Sequence, residues 1–169
     1  MTTSMRSIGW VLLLMVWGCS APPNAQQLID RSIATHGGEK YQSATIDFDF
    51  RERHYRSERK GGTFTYYRIF EEDGKEVVDK LSNDHEDGVA RLERSINDTV
   101  VDLPDKKRQA FTNSVNSVHY FAQLPFGLND PAVVKESLGQ RTVKGQTYDA
   151  VRVTFRQEGG GVDFQDVFV

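Results

Sequence analysis

Residues 111–131 read FTNSVNSVHYFAQLPFGLNDP, and this stretch decides the fold that the sequence predicts. Its first half predicts an amphipathic helix, because apolar residues recur at spacings of four, three and four: Phe111, Val115, Val118 and Ala122. Pro125 ends this helix, since proline lacks a backbone donor and disfavours helical geometry at the preceding residue. The apolar segment 126–128 then predicts a plug that packs, together with the helix, against a sheet.

The first eighteen residues are predicted to be a leader that takes no part in the fold. Their apolar run, residues 8–17, is far shorter than the ~20 residues that span a bilayer. It ends at Val16-Trp17-Gly18-Cys19, which resembles the bacterial lipobox, where the cysteine is acylated and becomes the new N-terminus. We therefore predict a lipoprotein signal peptide over residues 1–18, lipidation of Cys19 and a lipid-anchored tether over residues 19–24. The alternative is an ordinary signal peptide with an incidental cysteine.

Composition limits the partners of the mature chain. Cys19 is the only cysteine, so a disulfide within the chain is excluded. Loss of Arg6 with the leader leaves 20 basic against 24 acidic side chains, and a formal charge of −4 argues against a nucleic-acid partner. Ser20 follows the cysteine and no acidic cluster comes just after it, a pattern that resembles sorting to the periplasmic leaflet of the outer membrane. The predicted partner is therefore a membrane, through the lipid anchor.

Residues 25–169 predict one α+β domain with an antiparallel sheet. Asn24 is a good cap for a helix over residues 25–36, which Gly37-Gly38 ends. Apolar and acidic residues alternate over residues 45–50, which predicts a half-buried strand. The same strand is predicted to continue through the charged run 51–60. Further strands are predicted over residues 63–71, 76–81, 88–93, 100–103, 139–143, 148–155 and 162–169, a helix from Pro104, and helical turns over 132–138. Because the chain ends on apolar strand residues, we also expect C-terminal strands of the sheet to be missing.

The glycine pair Gly61-Gly62 predicts a β-hairpin. A two-residue loop would place Arg59 opposite Phe64 and Arg53 opposite Phe70, with guanidinium groups on aromatic rings. A three-residue loop would move these side chains to the other faces. The sequence leaves both registers open.

No catalytic or metal site is predicted from the residue types and their spacing. The four histidines, His36, His54, His85 and His119, lack metal-ligand spacing, and the polar run 83–87 is typical of a loop rather than a calcium site. Ser114 and Ser117 share a helix with His119, but no nucleophile elbow surrounds either serine. A hydrogen-bonded helix residue is therefore favoured over a general base at position 119, and no cofactor is predicted.

The candidate ligand-binding residues form an apolar face with a basic rim. The apolar set is Phe48, Phe50, Val115, Val118 and Phe121, and the rim is Arg53, Arg56 and Arg59. These arginines could grip an anionic headgroup or glycan, or they could simply keep an exposed strand soluble.

Five segments resemble a family of uncharacterised bacterial envelope proteins, found largely in Bacteroidota-type bacteria. They are residues 34–41 (ATHGGEKY), 50–55 (FRERHY), 113–121 (NSVNSVHYF), 124–131 (LPFGLNDP) and 157–161 (QEGGG). The resemblance runs from about residue 26 to 169 and implies longer relatives. That family is similar in fold to the lipoprotein carriers of the LolA and LolB type, in which a curved antiparallel half-barrel wraps around one or two helices and leaves a concavity for acyl chains.

The resemblance and the apolar face together predict a lipid-anchored envelope protein that binds a hydrophobic ligand or a lipidated partner without catalysis. Two other functions stay open. One is an envelope hydrolase that uses His119, and the other is a purely structural envelope component without a ligand.

Overall fold

A computed structural model describes residues 23–156 and 165–168, the latter as a strand whose side chains are not considered. The predicted leader, Cys19, most of the tether and the loop Gly159-Gly161 lie outside these ranges. The helices are α1 (Ala25–Thr35) and α2 (Asp105–Ala122), with 3₁₀ helices at Gly38–Gln42 and Phe126–Asn129. The strands are β1 (Thr45–Phe50), β2 (Arg53–Lys60), β3 (Thr63–Glu72), β4 (Lys75–Ser82), β5 (Arg91–Ile96), β6 (Thr99–Val101), β7 (Val133–Val143), β8 (Gln146–Phe155) and β9 (Gln165–Phe168).

The strands form two antiparallel sheets. Strands β1 to β6 follow one another in space in their chain order, as a six-stranded meander. Strands β7, β8 and β9 form a three-stranded sheet in the same way. The predicted α+β class with antiparallel pairing is therefore confirmed.

The hairpin between β2 and β3 has the two-residue loop. Lys60 pairs with Thr63 and Arg59 with Phe64, so Gly61-Gly62 forms the turn alone. The guanidinium carbon of Arg53 lies 4.6 Å from the ring centre of Phe70, as this register predicts.

The predicted N-terminal helix is confirmed to within one residue at its end. The side chain of Asn24 accepts a hydrogen bond from the backbone of Gln27, at 2.9 Å. The Gln27 side chain in turn accepts one from the backbone of Asn24, at 3.0 Å, which completes a capping box. Gly37 then adopts φ of +92°, a conformation that glycine reaches without steric cost.

Several local predictions were wrong. The strand expected to continue from residues 45–50 into 51–60 is divided by a turn at Arg51-Glu52, where both residues have positive φ, and its two halves pair with each other as β1 and β2. Residues 132–138 are not helical, because Val133 starts strand β7, which pairs along its length with β8. The strand expected over residues 88–93 lies at Arg91–Ile96 instead. Pro104 precedes the first helical residue of α2 rather than occupying it, and the buried stripe of that helix runs through Val115 and His119 while Ala122 is exposed.

Two hydrophobic clusters hold these elements together. One lies where α2 crosses β3, β4 and β5, and its buried members are Tyr66, Leu81, Leu92, Leu103 and Val115. The other joins α1, the second 3₁₀ helix, β7 and β8, and its buried members are Ala25, Ile29, Leu128, Val133, Val151 and Val153. The predicted plug does pack into the core, but through Leu128, which is 2% exposed, rather than through the half-buried Phe126.

A buried cluster of three charges lies beneath α2. Asp79 on β4 accepts hydrogen bonds from Arg68 Nε at 2.8 Å and from Arg94 Nε at 2.6 Å. Arg68 also donates to the Ser114 hydroxyl on α2, at 2.8 Å. The guanidinium carbon of Arg94 lies 3.7 Å from the centre of the Phe111 ring. Arg68 and Arg94 thus share the carboxylate of Asp79. Each also contacts α2, Arg68 through the Ser114 hydroxyl and Arg94 through the Phe111 ring.

In the described ranges, neither helix combines the length and the apolar character that crossing a membrane requires.

Candidate functional site

A cleft of about 1150 Å³ lies between α1, both 3₁₀ helices, the β2–β3 hairpin and the C-terminal part of α2. Its volume is slightly above the usual range for ligand pockets, which is about 300–1,000 Å³. Aromatic and aliphatic side chains line much of it, among them Ile33, Phe64, Tyr66, Tyr120, Phe126 and Phe155. The charged residues in the lining are Asp30, Glu39, Lys40, Arg59 and Asp130.

Stacked rings form one wall of the cleft. The ring centres of Phe64 and Tyr66 are 4.5 Å apart, and those of Tyr66 and His119 are 4.3 Å apart at an interplanar angle of 13°. This stack joins strand β3 to helix α2. Tyr66 and His119 are both buried in this stack, so their packing fixes the position of the wall.

Arg59 is the cation next to this wall. Its Nη1 donates a hydrogen bond to the Tyr66 hydroxyl, and its guanidinium carbon lies 5.1 Å from the centre of the Phe126 ring. Its Nε is buried and has no hydrogen-bond partner within the described ranges. Nor does any carboxylate in those ranges lie within ion-pair distance of Arg59.

The two aspartates of the lining have polar partners of their own. Asp30 accepts hydrogen bonds from the side-chain amides of Asn129 at 2.9 Å and Gln26 at 2.8 Å. These bonds, the one from Asn129 above all, lower the pKa of the Asp30 carboxyl. Asp130 accepts a hydrogen bond from the backbone of Ala132, at 2.8 Å.

The pKa of the Tyr66 hydroxyl depends on burial and on two charged residues of the cleft lining. Burial is the main reason that its pKa is raised above the ordinary 10.0. The positive charge of Arg59 opposes this rise, and the negative charge of Asp130 adds to it. The charges of Arg59 and Asp130 therefore both act on the stacked wall.

His119 is buried completely and is neutral near pH 7. Burial lowers its pKa from 6.5 to about 4, against a small opposing effect of the Tyr67 carbonyl. Because that carbonyl, 3.1 Å from Nε2, can only accept, Nε2 carries the proton and Nδ1 is a bare acceptor. Nδ1 has no hydrogen-bond partner among the described residues.

Aromatic rings surround His119, and the two serines of its helix are bonded to other groups. Its ring meets those of Phe48 and Tyr55 edge-on, at 5.7 Å in each case. The hydroxyl of Ser114 accepts from Arg68, and that of Ser117 donates to the Asn113 carbonyl at 2.7 Å. Neither serine that shares the helix is thus paired with His119.

Comparison with known proteins identifies a family but no function. A family described as "Family of unknown function (DUF6503)" matches residues 8–169. The chain belongs to this family. The match agrees with the resemblance to an uncharacterised family seen in the sequence. Neither a curated protein nor a solved structure matches the chain.

Of the residues that the sequence of this DUF6503 chain singled out for ligand binding, only Arg59 lines the cleft. Arg53 lies over Phe70, and Arg56 pairs with two acidic residues, Asp47 at 3.5 Å and Glu58 at 2.6 Å. Both of these guanidinium groups thus have partners away from the cleft.

The apolar residues of the predicted set are dispersed. Val115 is fully buried in the core beneath α2, and Val118 is half-buried. Phe48 stacks on Tyr55 at 5.3 Å. Phe50 and Phe121 are 44% and 46% exposed. Their role in ligand binding stays a prediction.

Sequence reasoning missed most of the cleft lining, including Ile33, Tyr120, Phe126 and Phe155. No spacing signal links these residues, because they come from four separate elements. One local signal was present at Gly127, where a Cβ atom would lie 2.8 Å from two ring carbons of Tyr120. The close approach of backbone to ring explains a glycine between Phe126 and Leu128.

The described residues contain no group of three or more metal-ligating side chains positioned to hold a metal ion.

Proposed function

We propose that this chain is a lipid-anchored envelope protein that binds a hydrophobic ligand, or the acyl chain of a lipidated partner, in the cleft beside Arg59. The cleft itself is the observation that carries this proposal. It is large, aromatic and aliphatic side chains line much of it, and charged residues, Arg59 among them, lie beside this apolar surface. Apolar surface of this kind favours acyl chains through the area removed from water, at ~25 cal/mol per Å² before the costs of association.

The proposed role is binding rather than catalysis. A neutral, enclosed histidine without a paired nucleophile supports this choice. The fold-level likeness to lipoprotein carriers is part of the same proposal. An antiparallel meander with a helix packed across β3, β4 and β5 supports a half-barrel of that type.

The proposed location is the periplasmic leaflet of the outer membrane, with Cys19 as the acylated residue. The lipobox-like sequence before Cys19 and the serine after it support this location. Labelled palmitate should enter the chain in bacterial cells that express it and should not enter the Cys19→Ser variant. Equal labelling of both chains would contradict the anchor.

Binding in the cleft should respond to a single methyl group at Gly127. In Gly127→Ala the new Cβ would displace the Tyr120 ring within the cleft. Because the displaced ring would change the shape of the cleft wall, we expect the affinity for a fluorescent fatty acid to fall by about tenfold, which corresponds to about 1.4 kcal/mol of binding free energy. A titration of the purified protein measures this change.

Gly62→Ala is the matched control, because a Cβ there meets no atom within 4 Å and the residue lies outside the cleft lining. Its affinity should equal that of the unchanged protein. Absence of saturable binding in the unchanged protein would contradict the proposal and favour a structural component. Hydrolysis of an acyl ester that His119→Gln abolishes would favour the hydrolase instead.

A further inference from the structure

We infer that Arg59 selects the ligand, so that the cleft takes an amphiphile with an oxyanion head group, a carboxylate or a phosphate, next to its acyl chain. The inference rests on the proposed function, because it names the chemical class of the ligand in the same cleft.

The unused donors of Arg59 are the first support. A guanidinium group has five N–H donors in a planar fork that matches the oxygens of a carboxylate or phosphate. Among the described residues, Arg59 donates a hydrogen bond from Nη1 to the Tyr66 hydroxyl. Its Nε has no hydrogen-bond partner there. Arg56 on the same strand, by contrast, has Asp47 and Glu58 as counterions.

The surroundings of Arg59 are the second support. Its guanidinium carbon lies 5.1–5.9 Å from the ring centres of Phe126, Phe64 and Tyr66. Aromatic faces stabilise the cation, and the residue is partly buried. A hydrogen bond to an ionised group is stronger where water is excluded, so an anion bound here gains more than one at the exposed surface.

The acidic residues of the cleft lining affect how strongly an anion binds beside Arg59. Asp30 keeps its negative charge, and its carboxylate accepts hydrogen bonds from the neutral amides of Asn129 and Gln26. Glu39 and Lys40 are exposed and of opposite sign. Asp130 remains as the acid whose charge acts on Tyr66, the hydrogen-bond partner of Arg59. Its negative charge should therefore weaken the binding of an anion.

The test uses three probes with the same sixteen-carbon chain: palmitate, palmitoyl lysophosphatidic acid and the neutral methyl palmitate. Each is titrated against the purified protein, Arg59→Gln and Asp130→Asn. Arg59→Gln should weaken binding of the two anionic probes by about 10- to 100-fold and change methyl palmitate by less than about threefold. Whichever anionic probe the unchanged protein binds more tightly identifies the head group as carboxylate or phosphate.

Asp130→Asn should act in the opposite direction, because asparagine can still accept from the backbone of Ala132 but carries no charge. Both anionic probes should bind more tightly to it, and methyl palmitate should bind as before. If Arg59→Gln does not fold, Arg59→Lys replaces it, and since lysine keeps the charge without the fork, its loss of anion affinity should be smaller but still selective.

The inference and the proposed function fail in distinguishable ways. Equal binding of methyl palmitate and palmitate by the unchanged protein, or an equal loss of all three probes in Arg59→Gln, overturns the role of Arg59 and leaves the hydrophobic cleft intact. Absence of binding by all three probes overturns both.

Discussion

Replacing Asp79 with asparagine is expected to lower the free energy of unfolding by about 3–5 kcal/mol, because removal of one partner leaves a buried charge uncompensated. Asp79 is fully buried and is the carboxylate that Arg68 and Arg94 share. With asparagine in its place, the two guanidinium groups beneath α2 would keep an amide oxygen, the Ser114 hydroxyl and aromatic rings as neighbours but would lose the carboxylate that balances their charge. Urea denaturation followed by circular dichroism measures the difference.

Asp47→Asn is the control for this prediction. Asp47 also sits on a strand and pairs with Arg56 and His54, but its side chain is 43% exposed. Exposed ion pairs contribute little to stability, so the effect should be a small fraction of that at Asp79. A loss under about 1 kcal/mol in Asp79→Asn, against the 3–5 kcal/mol expected, would show that the three charges do not hold α2 on the sheet.

Stability should also fall as the pH is lowered from about 6.5 to about 4, because of His119. The folded protein holds this ring neutral with a pKa of about 4, whereas the unfolded chain takes up a proton near the ordinary 6.5. Protonation therefore favours the unfolded chain across this range, and the loss levels off below about pH 4. The difference between the two pKa values corresponds to a loss of about 3 kcal/mol.

His119→Gln isolates this contribution, because glutamine does not titrate and can still donate to the Tyr67 carbonyl. The raised pKa of the exposed His54, caused first by its hydrogen bond to Asp49, acts in the opposite direction. His54 is present in both chains, so its effect cancels in the comparison. The unfolding free energy of the unchanged protein should decline more steeply than that of the variant between pH 6.5 and 4. Parallel pH profiles would show that His119 is not held neutral.

Local signals predicted the parts of the fold that depend on near neighbours. The helix α1 follows from the cap at Asn24 and the glycines after His36. The contact of Arg53 with Phe70 follows from the pairing rule of a two-residue hairpin, once the loop length is known. In each case, the residues that determine the geometry lie in one short segment of the chain, Asn24 to Gly37 for the helix and Arg53 to Phe70 for the hairpin.

The errors lie where distant segments decide the structure. Val133 belongs to a strand because β8 pairs with it, which residues 132–138 alone do not reveal. Similarly, Arg68, Asp79 and Arg94 are ordinary strand charges in the sequence. They become a buried cluster only in the register that places Asp79 between the two arginines on adjacent strands.

The cleft could not be predicted from the sequence either, because its lining residues come from distant segments of the chain. Arg59 was a candidate among three arginines, and only the fold distinguishes it from Arg53 and Arg56. Its aromatic neighbours come from β3 and from the second 3₁₀ helix, and further lining residues come from α1 and β8. The sequence instead predicted an apolar face that includes Phe50 and Phe121.

Photo-crosslinking tests the central claim, that an acyl chain binds in this cleft, most directly. The purified protein is irradiated with a diazirine-labelled palmitate, and the modified residues are mapped by mass spectrometry. We expect adducts on the cleft residues Tyr120, Phe126 and Phe155, and unlabelled palmitate should compete them away. Adducts confined to the exposed Phe50 and Phe121, or adducts that palmitate does not reduce, would contradict the account.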